Sequence, residues 1–255
     1  MQPVRDTEYI LETRDLSKYF AGFLAVDKLN LKVRRGSVHA LIGPNGAGKT
    51  TVFNLLTRFQ PASSGQIFYN GIEITRERPA AIARRGMVRS FQISAVFSHM
   101  TVQENVRVAL QRPTGLPYQF WRPESSLLPL HARATELLAM VGLEHLADRF
   151  AGTLSYGHKR ALEIATTIAL NPEMLLLDEP TSGLGQEDIH RIVRLISDIS
   201  RDRTILMVEH NLSVVANLSD TITVLTRGRV LAEGPYATVS RNPEVMSAYL
   251  GTTHA

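Results

Sequence analysis

Gly43-Pro44-Asn45-Gly46-Ala47-Gly48-Lys49-Thr50 sets its glycines, lysine and threonine at the spacing G-x-x-x-x-G-K-[ST], the pattern of a phosphate-binding loop. Glycines let backbone N–H groups approach phosphate oxygens closely. Lys49 offers a cation to the β- and γ-phosphates of a nucleotide. The Thr50 hydroxyl is an oxygen ligand suited to Mg²⁺. The predicted nucleotide contacts are therefore Gly43, Pro44, Asn45, Gly46, Ala47, Gly48, Lys49, Thr50 and the following Thr51, with ATP or GTP as the ligand.

A second constellation is Asp178-Glu179, which directly follows the apolar run Met174-Leu175-Leu176-Leu177. Nucleotide hydrolysis needs Mg²⁺ held against the phosphates and a group that orients or deprotonates the attacking water. Asp178 suits the metal, directly or through a water, and Glu179 suits the nucleophile. A surface carboxylate pair at a strand end is the plainer alternative, and the phosphate loop upstream argues against it. Gln92 and His210 each follow an apolar strand. Gln92 suits Mg²⁺ or sensing of the γ-phosphate, and His210 suits donation to the γ-phosphate. Alone, a Gln or His at a strand end is usually just a polar loop residue, and their joint placement is what favours the site. Lys49, Glu179 and His210 form the predicted catalytic set.

These residues need strands and helices at particular places. Val38 to Ile42 reads as a buried strand into the loop, and Thr51 to Leu56 has helical spacing with Val52, Leu55 and Leu56 on one face. Met174 to Leu177 reads as a parallel strand covered on both sides, so Asp178 and Glu179 fall at its carboxyl end, where open α/β sheets bind ligands. Thr204 to Val208 is a further strand ending at Glu209-His210. Tyr9 to Leu16 reads as a strand, after which Asp15 to Phe20 leads into a turn at Ala21-Gly22. Tyr19 or Phe20 can stack on a purine or pack an edge of the sheet. Asn70-Gly71 between Ile67–Tyr69 and Ile72–Ile74 signals a hairpin, and Pro79 to Arg84 a short helix.

From Ile93 to about Ala169 the pattern turns helical, with Val102–Leu110 and Leu130–Val141 as the clear segments. Pro113, Pro117, Pro123 and Pro129 break the chain between them, and Trp121 there reads as a local packing anchor. Leu154 to His158 precedes a helix buried through Ala161, Leu162, Ala165, Ile168 and Ala169. Ile189, Ile192, Val193, Ile196 and Ile199 mark an amphipathic helix. Shorter strands fall near Ile222–Leu225 and Val230–Ala232, and a last helix at Pro243–Leu250. The expected organisation is one domain over 1–255, with an α/β core over about 1–92 and 170–255 and an all-helical subdomain inserted over about 93–169.

The chain has 255 residues and no cysteine, which excludes a disulfide framework, thiolate metal sites and cysteine nucleophiles. Its net charge of +4 is spread in short pairs such as Arg34-Arg35 and Arg84-Arg85, so a nucleic-acid arm is not expected. Met1 to Asp6 lacks the apolar stretch of a secretory signal, and no run is long enough to span a bilayer. Any membrane work is expected to pass through partners.

The order of Gly43–Thr50, Gln92, Leu154–His158, Leu177-Asp178-Glu179-Pro180 and Glu209-His210 resembles the ATP-binding subunits of ABC transporters over nearly the whole chain. The Leu-Ser-x-Gly segment separates that family from other phosphate-loop ATPases. The resemblance implies an α/β fold, a P-loop NTPase (RecA-like) core with an antiparallel β subdomain and an inserted all-helical subdomain. It implies ATP and Mg²⁺ as ligands, with Thr50, Gln92 and Asp178 on the metal. It also implies two copies closed head to tail, Ser155 and Gly157 of one facing the γ-phosphate held by the other. A serine hydroxyl, a glycine and a helix N-terminus agree with an anion site. Val88-Arg89-Ser90-Phe91-Gln92, Ser155-Tyr156-Gly157 and Asn242 to Gly251 look like the ATPases of branched-chain amino acid importers. Within that group Phe20 stands where a ring stacks on adenine.

The implied protein is a peripheral ATPase on the cytoplasmic face of the membrane. Its implied partners are a second ATPase subunit, the same chain or a paralogue, two membrane permease subunits and, indirectly, a periplasmic-type solute-binding protein. Urea or short amides are alternative cargo. A non-transport relative acting on ribosomes or DNA is less consistent, since those carry two nucleotide domains or a long coiled-coil insertion. A switch GTPase is disfavoured because no N-K-x-D segment occurs. Two positions depart from the family pattern: His158 stands where Gln is usual, and Gly185 where Asp or Asn is usual. ATPase activity is expected to survive both, with looser coupling between the two sites through the loop at Gly185.

Overall fold

The computed structural model describes residues 8–90, 96–111 and 128–250. In chain order the strands are β1 (Tyr9–Phe20), β2 (Phe23–Leu29), β3 (Lys32–Arg34), β4 (Val38–Ile42), β5 (Ser64–Tyr69), β6 (Ile72–Glu73), β7 (Met87–Arg89), β8 (Met174–Asp178), β9 (Thr204–Val208), β10 (Thr221–Thr226) and β11 (Arg229–Gly234). The helices are α1 (Lys49–Leu56), α2 (Pro79–Arg84), α3 (Val102–Gln111), α4 (Leu128–Met140), α5 (Tyr156–Ile168), α6 (Gln186–Ser200), α7 (Leu212–Leu218), α8 (Tyr236–Val239) and α9 (Pro243–Leu250). Two compact units divide the chain. One comprises Met1–Arg89, Glu173–Ser182 and Ile196–Ala255, the other Ser90–Pro172 and Gly183–Leu195.

The first unit holds two sheets. The antiparallel sheet runs β2-β1-β5-β6 with β3 also paired to β1. β1 continues to Phe20, beyond the end at Leu16 that alternation suggests. Asp15 has a positive φ of 46° and the β1–β2 register shifts twice between Leu16 and Tyr19, which destroys the period of two while pairing continues. Ala21 and Gly22, at φ 41° and 92°, form the two-residue reversal that sets Phe20 opposite Phe23.

The second sheet has the order β11-β10-β4-β9-β8-β7. All pairs from β10 to β7 are parallel, and only β11 is antiparallel. Every residue of β4, β8 and β9 is buried, as continuous apolar runs require in a sheet covered on both faces. Parallel pairing has a direct consequence for chemistry. The carboxyl ends of β4, β8 and β9 lie side by side, so the residues after them share one edge.

The core of this unit packs Phe53, Leu55 and Leu56 of α1 with Leu11 and Leu16 of β1, Tyr69 of β5, Leu176 of β8 and Val208 of β9. Truncating such a leucine to alanine costs about 2–5 kcal/mol. A buried polar chain crosses the parallel sheet. Thr223 donates its hydroxyl proton to Glu233 at 2.6 Å, so His39 must donate from Nε2 to the Thr223 oxygen at 2.7 Å.

The second unit contains α3, α4 and α5. α5 buries Ala161, Leu162, Ala165 and Ile168, as its spacing predicts, and also a paired Arg160 and Glu163 at 2.7 Å. Ser155 caps its N-terminus, accepting from the His158 amide at 3.3 Å. Along α6 the fully buried positions are Ile192, Leu195, Ile196 and Ile199. Leu195 belongs to that stripe, whereas Ile189 and Val193 are half-buried flanks.

Candidate active site

β4 delivers the chain to the phosphate loop, and α1 begins at Lys49 with Gly48 as its N-cap. Two glycines are demanded by space as well as by backbone. A Cβ on Gly43, at φ 151°, would stand 2.2 Å from the Leu225 carbonyl oxygen. One on Gly48, at φ 100°, would stand 2.6 Å from the Ala25 carbonyl oxygen. The loop is thus wedged between β10 and β2. The start of α1 has no side-chain cap, which leaves its first N–H groups for an anion.

The Lys49 ammonium lies inside the loop and donates to the carbonyls of Gly43 at 2.7 Å and Pro44 at 3.0 Å. Burial pushes its pKa down, while the charges of Glu179 and Asp178 pull the other way. A cleft of about 330 Å³ opens above the loop, lined by Asn45 to Thr51 together with Phe20, Phe23, Glu179 and His210. The hairpin tip brings Phe20 onto the wall of this cleft, and Phe23 joins it, a ring that the sequence does not single out. Both rings are exposed enough to meet a flat ligand.

Glu179 follows β8 with a positive φ of 48°. A non-glycine residue in that region is uncommon and strained, and such residues gather at functional sites. The turn aims its carboxylate at His210, whose Nε2 lies 2.7 Å from Oε1. Glu209 builds the support. Its buried carboxylate accepts from the Thr181 amide and hydroxyl at 2.9 and 2.6 Å, and from the amides of His210 and Asn211 at 2.9 and 3.2 Å. It ties the segment after β8 to the segment after β9. Sequence reasoning treats Glu209 only as the neighbour of His210; a carboxylate directly after the apolar run Ile205 to Val208 was the available signal.

Asp178, buried at 1% exposure, takes a guanidinium nitrogen of Arg89 at 2.5 Å. Thr50 and Asp178 are hard oxygen donors beside a loop built for polyphosphate. Mg²⁺ characteristically takes one or two protein oxygens and fills its shell from phosphates and water, so the donor set fits that ion. Gln92, the third predicted metal ligand, lies outside the described residues, as does Trp121.

Ser155 and Gly157 belong to the other unit. A Cβ on Gly157 would stand 2.3 Å from the Asp188 carboxylate, which would have to turn aside to admit it at this start of α5. His158 is beside His145, ring centroids 6.4 Å apart. Burial lowers its pKa, Arg191 and His145 push the same way, and Asp188 opposes them. Gly185 is exposed, and a Cβ there would meet nothing within 4 Å.

Comparison with known proteins agrees with this geometry. The family model described as ABC transporter matches residues 26–182. The chain belongs to the ABC transporter family. A second model, branched-chain amino acid ATP-binding cassette transporter, matches residues 229–255 of the cassette. The cassette is 40% identical to the high-affinity branched-chain amino acid transport ATP-binding protein BraF of Pseudomonas aeruginosa, covering 95% of this chain and 98% of that one. It is also 40% identical to LivG of Escherichia coli K12, with the same coverage, and 34% identical to the probable LivG of Methanocaldococcus jannaschii, over 97% of this chain and 100% of that one. Among solved structures, a nucleotide-free ATP-binding cassette from an ABC transporter superposes with a TM-score of 0.82 at 31% identity, covering 94% of this chain and 98% of that one. The ADP conformation of MJ1267, an ATP-binding cassette of an ABC transporter, gives 0.83 at 32% identity, covering 96% and 100%. Among the described residues no helix of the cassette is long and apolar enough to cross a membrane.

Proposed function

We propose that the chain hydrolyses ATP to drive uptake of branched-chain or related amino acids through separate membrane subunits. The contact between His210 and Glu179 beside the phosphate loop carries the hydrolytic part. The names of BraF and LivG, and the match over residues 229–255, support the cargo class.

In this reading free backbone N–H groups of the loop and of the start of α1, with the Lys49 ammonium, receive the phosphates, and Phe20 stacks on the base. Thr50, Asp178 and Gln92 would hold Mg²⁺, which would supply charge neutralisation for the phosphates. Glu179 orients the attacking water and accepts its proton. His210 fixes the Glu179 carboxylate beside the place of the γ-phosphate. Lys49 exchanges a loop carbonyl for a phosphate oxygen. Ser155 and Gly157 serve a second ATPase subunit, whose nucleotide they complete. The helical segment over about 93–169 forms a subdomain that meets the membrane subunits. Phe97, Met100 and Phe150 support that role: all three are exposed, and Phe150 bridges to Thr101 beside Met100.

The test is reconstitution with the two membrane subunits and the solute-binding protein in vesicles. ATP-dependent uptake of labelled leucine supports the reading. Hydrolysis with uptake of urea or short amides instead would replace the cargo, and absence of ATP hydrolysis would remove the function.

A further inference from the structure

Arg89 is not accounted for by this mechanism, yet its side chain touches two elements that build the site. It lies at the end of β7, whose register sets it beside Leu176 of β8. One guanidinium nitrogen donates to Asp178 Oδ2 at 2.5 Å, and the other to Asn54 Oδ1 at 2.6 Å. The guanidinium carbon stands 5.5 Å from the centroid of the Phe53 ring. The side chain is only 9% exposed, and that of Asp178 1%.

Asn54 and Phe53 belong to α1, the helix that begins with Lys49 and Thr50. Asp178 ends β8. The two protein oxygens suited to the metal, from Thr50 and Asp178, thus come from different elements. A planar fork that bonds both elements at once fixes the spacing between them, a task for which arginine is suited and lysine is not. Partners that orient metal-binding carboxylates commonly tune metal affinity as strongly as they tune geometry.

We propose that Arg89 is a positioning residue for the divalent cation of the nucleotide complex, clamping Asp178 to α1. The inference rests on the ATPase reading above. It makes a specific distinction: the bridge matters, beyond the positive charge. Arg89→Lys keeps a cation near Asp178 and loses one arm of the fork. Asn54→Ala leaves the Arg89–Asp178 pair intact and removes only the tie to α1.

The probe is Mn²⁺, titrated with a non-hydrolysable ATP analogue and followed by the electron paramagnetic resonance of the free ion. Nucleotide binding without metal is measured in parallel, in EDTA, with a fluorescent ATP analogue. Arg89→Lys should bind Mn²⁺–nucleotide about tenfold more weakly, and Asn54→Ala should weaken it in the same direction, with metal-free nucleotide affinity unchanged in both. Wild-type Mn²⁺ affinity in the two variants would overturn the proposal, as would an equal loss in EDTA, which would signal general damage to α1. If Arg89→Lys does not fold, Asn54→Ala decides alone by the same criterion. A wild-type chain that binds no nucleotide under either condition would overturn the ATPase reading itself, and the clamp with it.

Discussion

Nε2 of His210 lies 2.7 Å from Oε1 of Glu179, joining the residues that follow two adjacent parallel strands. The carboxylate accepts, so the imidazole donates from Nε2. This contact holds a carboxylate in place at a residue whose backbone is itself in a strained region. His210→Ala should therefore lower ATP turnover by about 100-fold, the scale of a positioned acid–base group, with little change in ATP affinity. Steady-state phosphate release alongside equilibrium nucleotide titration checks this. An equal loss in both would assign His210 to binding.

Glu209 should matter for stability and for rate together. Glu209→Ala leaves the amides of Thr181, His210 and Asn211 and the Thr181 hydroxyl without their buried acceptor. Each orphaned donor costs about 1–3 kcal/mol, partly relieved by entering water. Urea unfolding should show a loss of several kcal/mol, and turnover should fall because His210 loses its anchor.

Gly43→Ala should destroy nucleotide binding. Its Cβ would have to stand 2.2 Å from the Leu225 carbonyl oxygen, at a φ of 151°. Calorimetric titration with ADP should show no binding. Gly185→Asp is the contrasting case. Nothing lies within 4 Å of a Cβ there, so circular dichroism should show an unchanged fold and melting point. The added side chain should strengthen ATP-dependent self-association, measured by light scattering.

His39 gives a pH signature. Burial lowers its pKa to about 4 from the ordinary 6.5, so the folded state keeps the neutral ring. The unfolded chain then binds the proton first as pH falls through 6.5, and stability declines until about pH 4. From pH 7 to pH 5 this one group should remove about 2 kcal/mol. Urea unfolding at the two values, compared with His39→Gln, isolates its share, and the variant should show a shallower decline by about that amount.

The site was legible where local spacing dictates geometry. The loop from Gly43 to Thr50 and the apolar strand before Asp178 each declare themselves within a dozen residues, and the expected strands and helices follow. From spacing alone Phe20 was one of two candidate rings, and the family resemblance favoured it; the bulged end of β1 and the reversal at Ala21-Gly22 put Phe20 on the cleft wall, together with Phe23. Arg89, Asn54 and Glu209 were given no role in the sequence analysis for a different reason. The partners that tie them across the fold, Thr181 for Glu209, Asp178 for Arg89 and Arg89 for Asn54, are 28 to 89 positions away in the chain, and only the tertiary fold brings them together. The buried Leu195 on α6 was missed because the isoleucine pattern around it already satisfied a helical period.

The central claim is that Glu179 governs hydrolysis and not binding. Glu179→Gln preserves size and the hydrogen bond to His210 while removing the base. ATP binding and ATP-dependent dimer formation, followed by size-exclusion chromatography with light scattering, should persist, and phosphate release in a single-turnover assay should fall by about 100-fold or more. Phosphate release at the wild-type rate from Glu179→Gln would contradict the account.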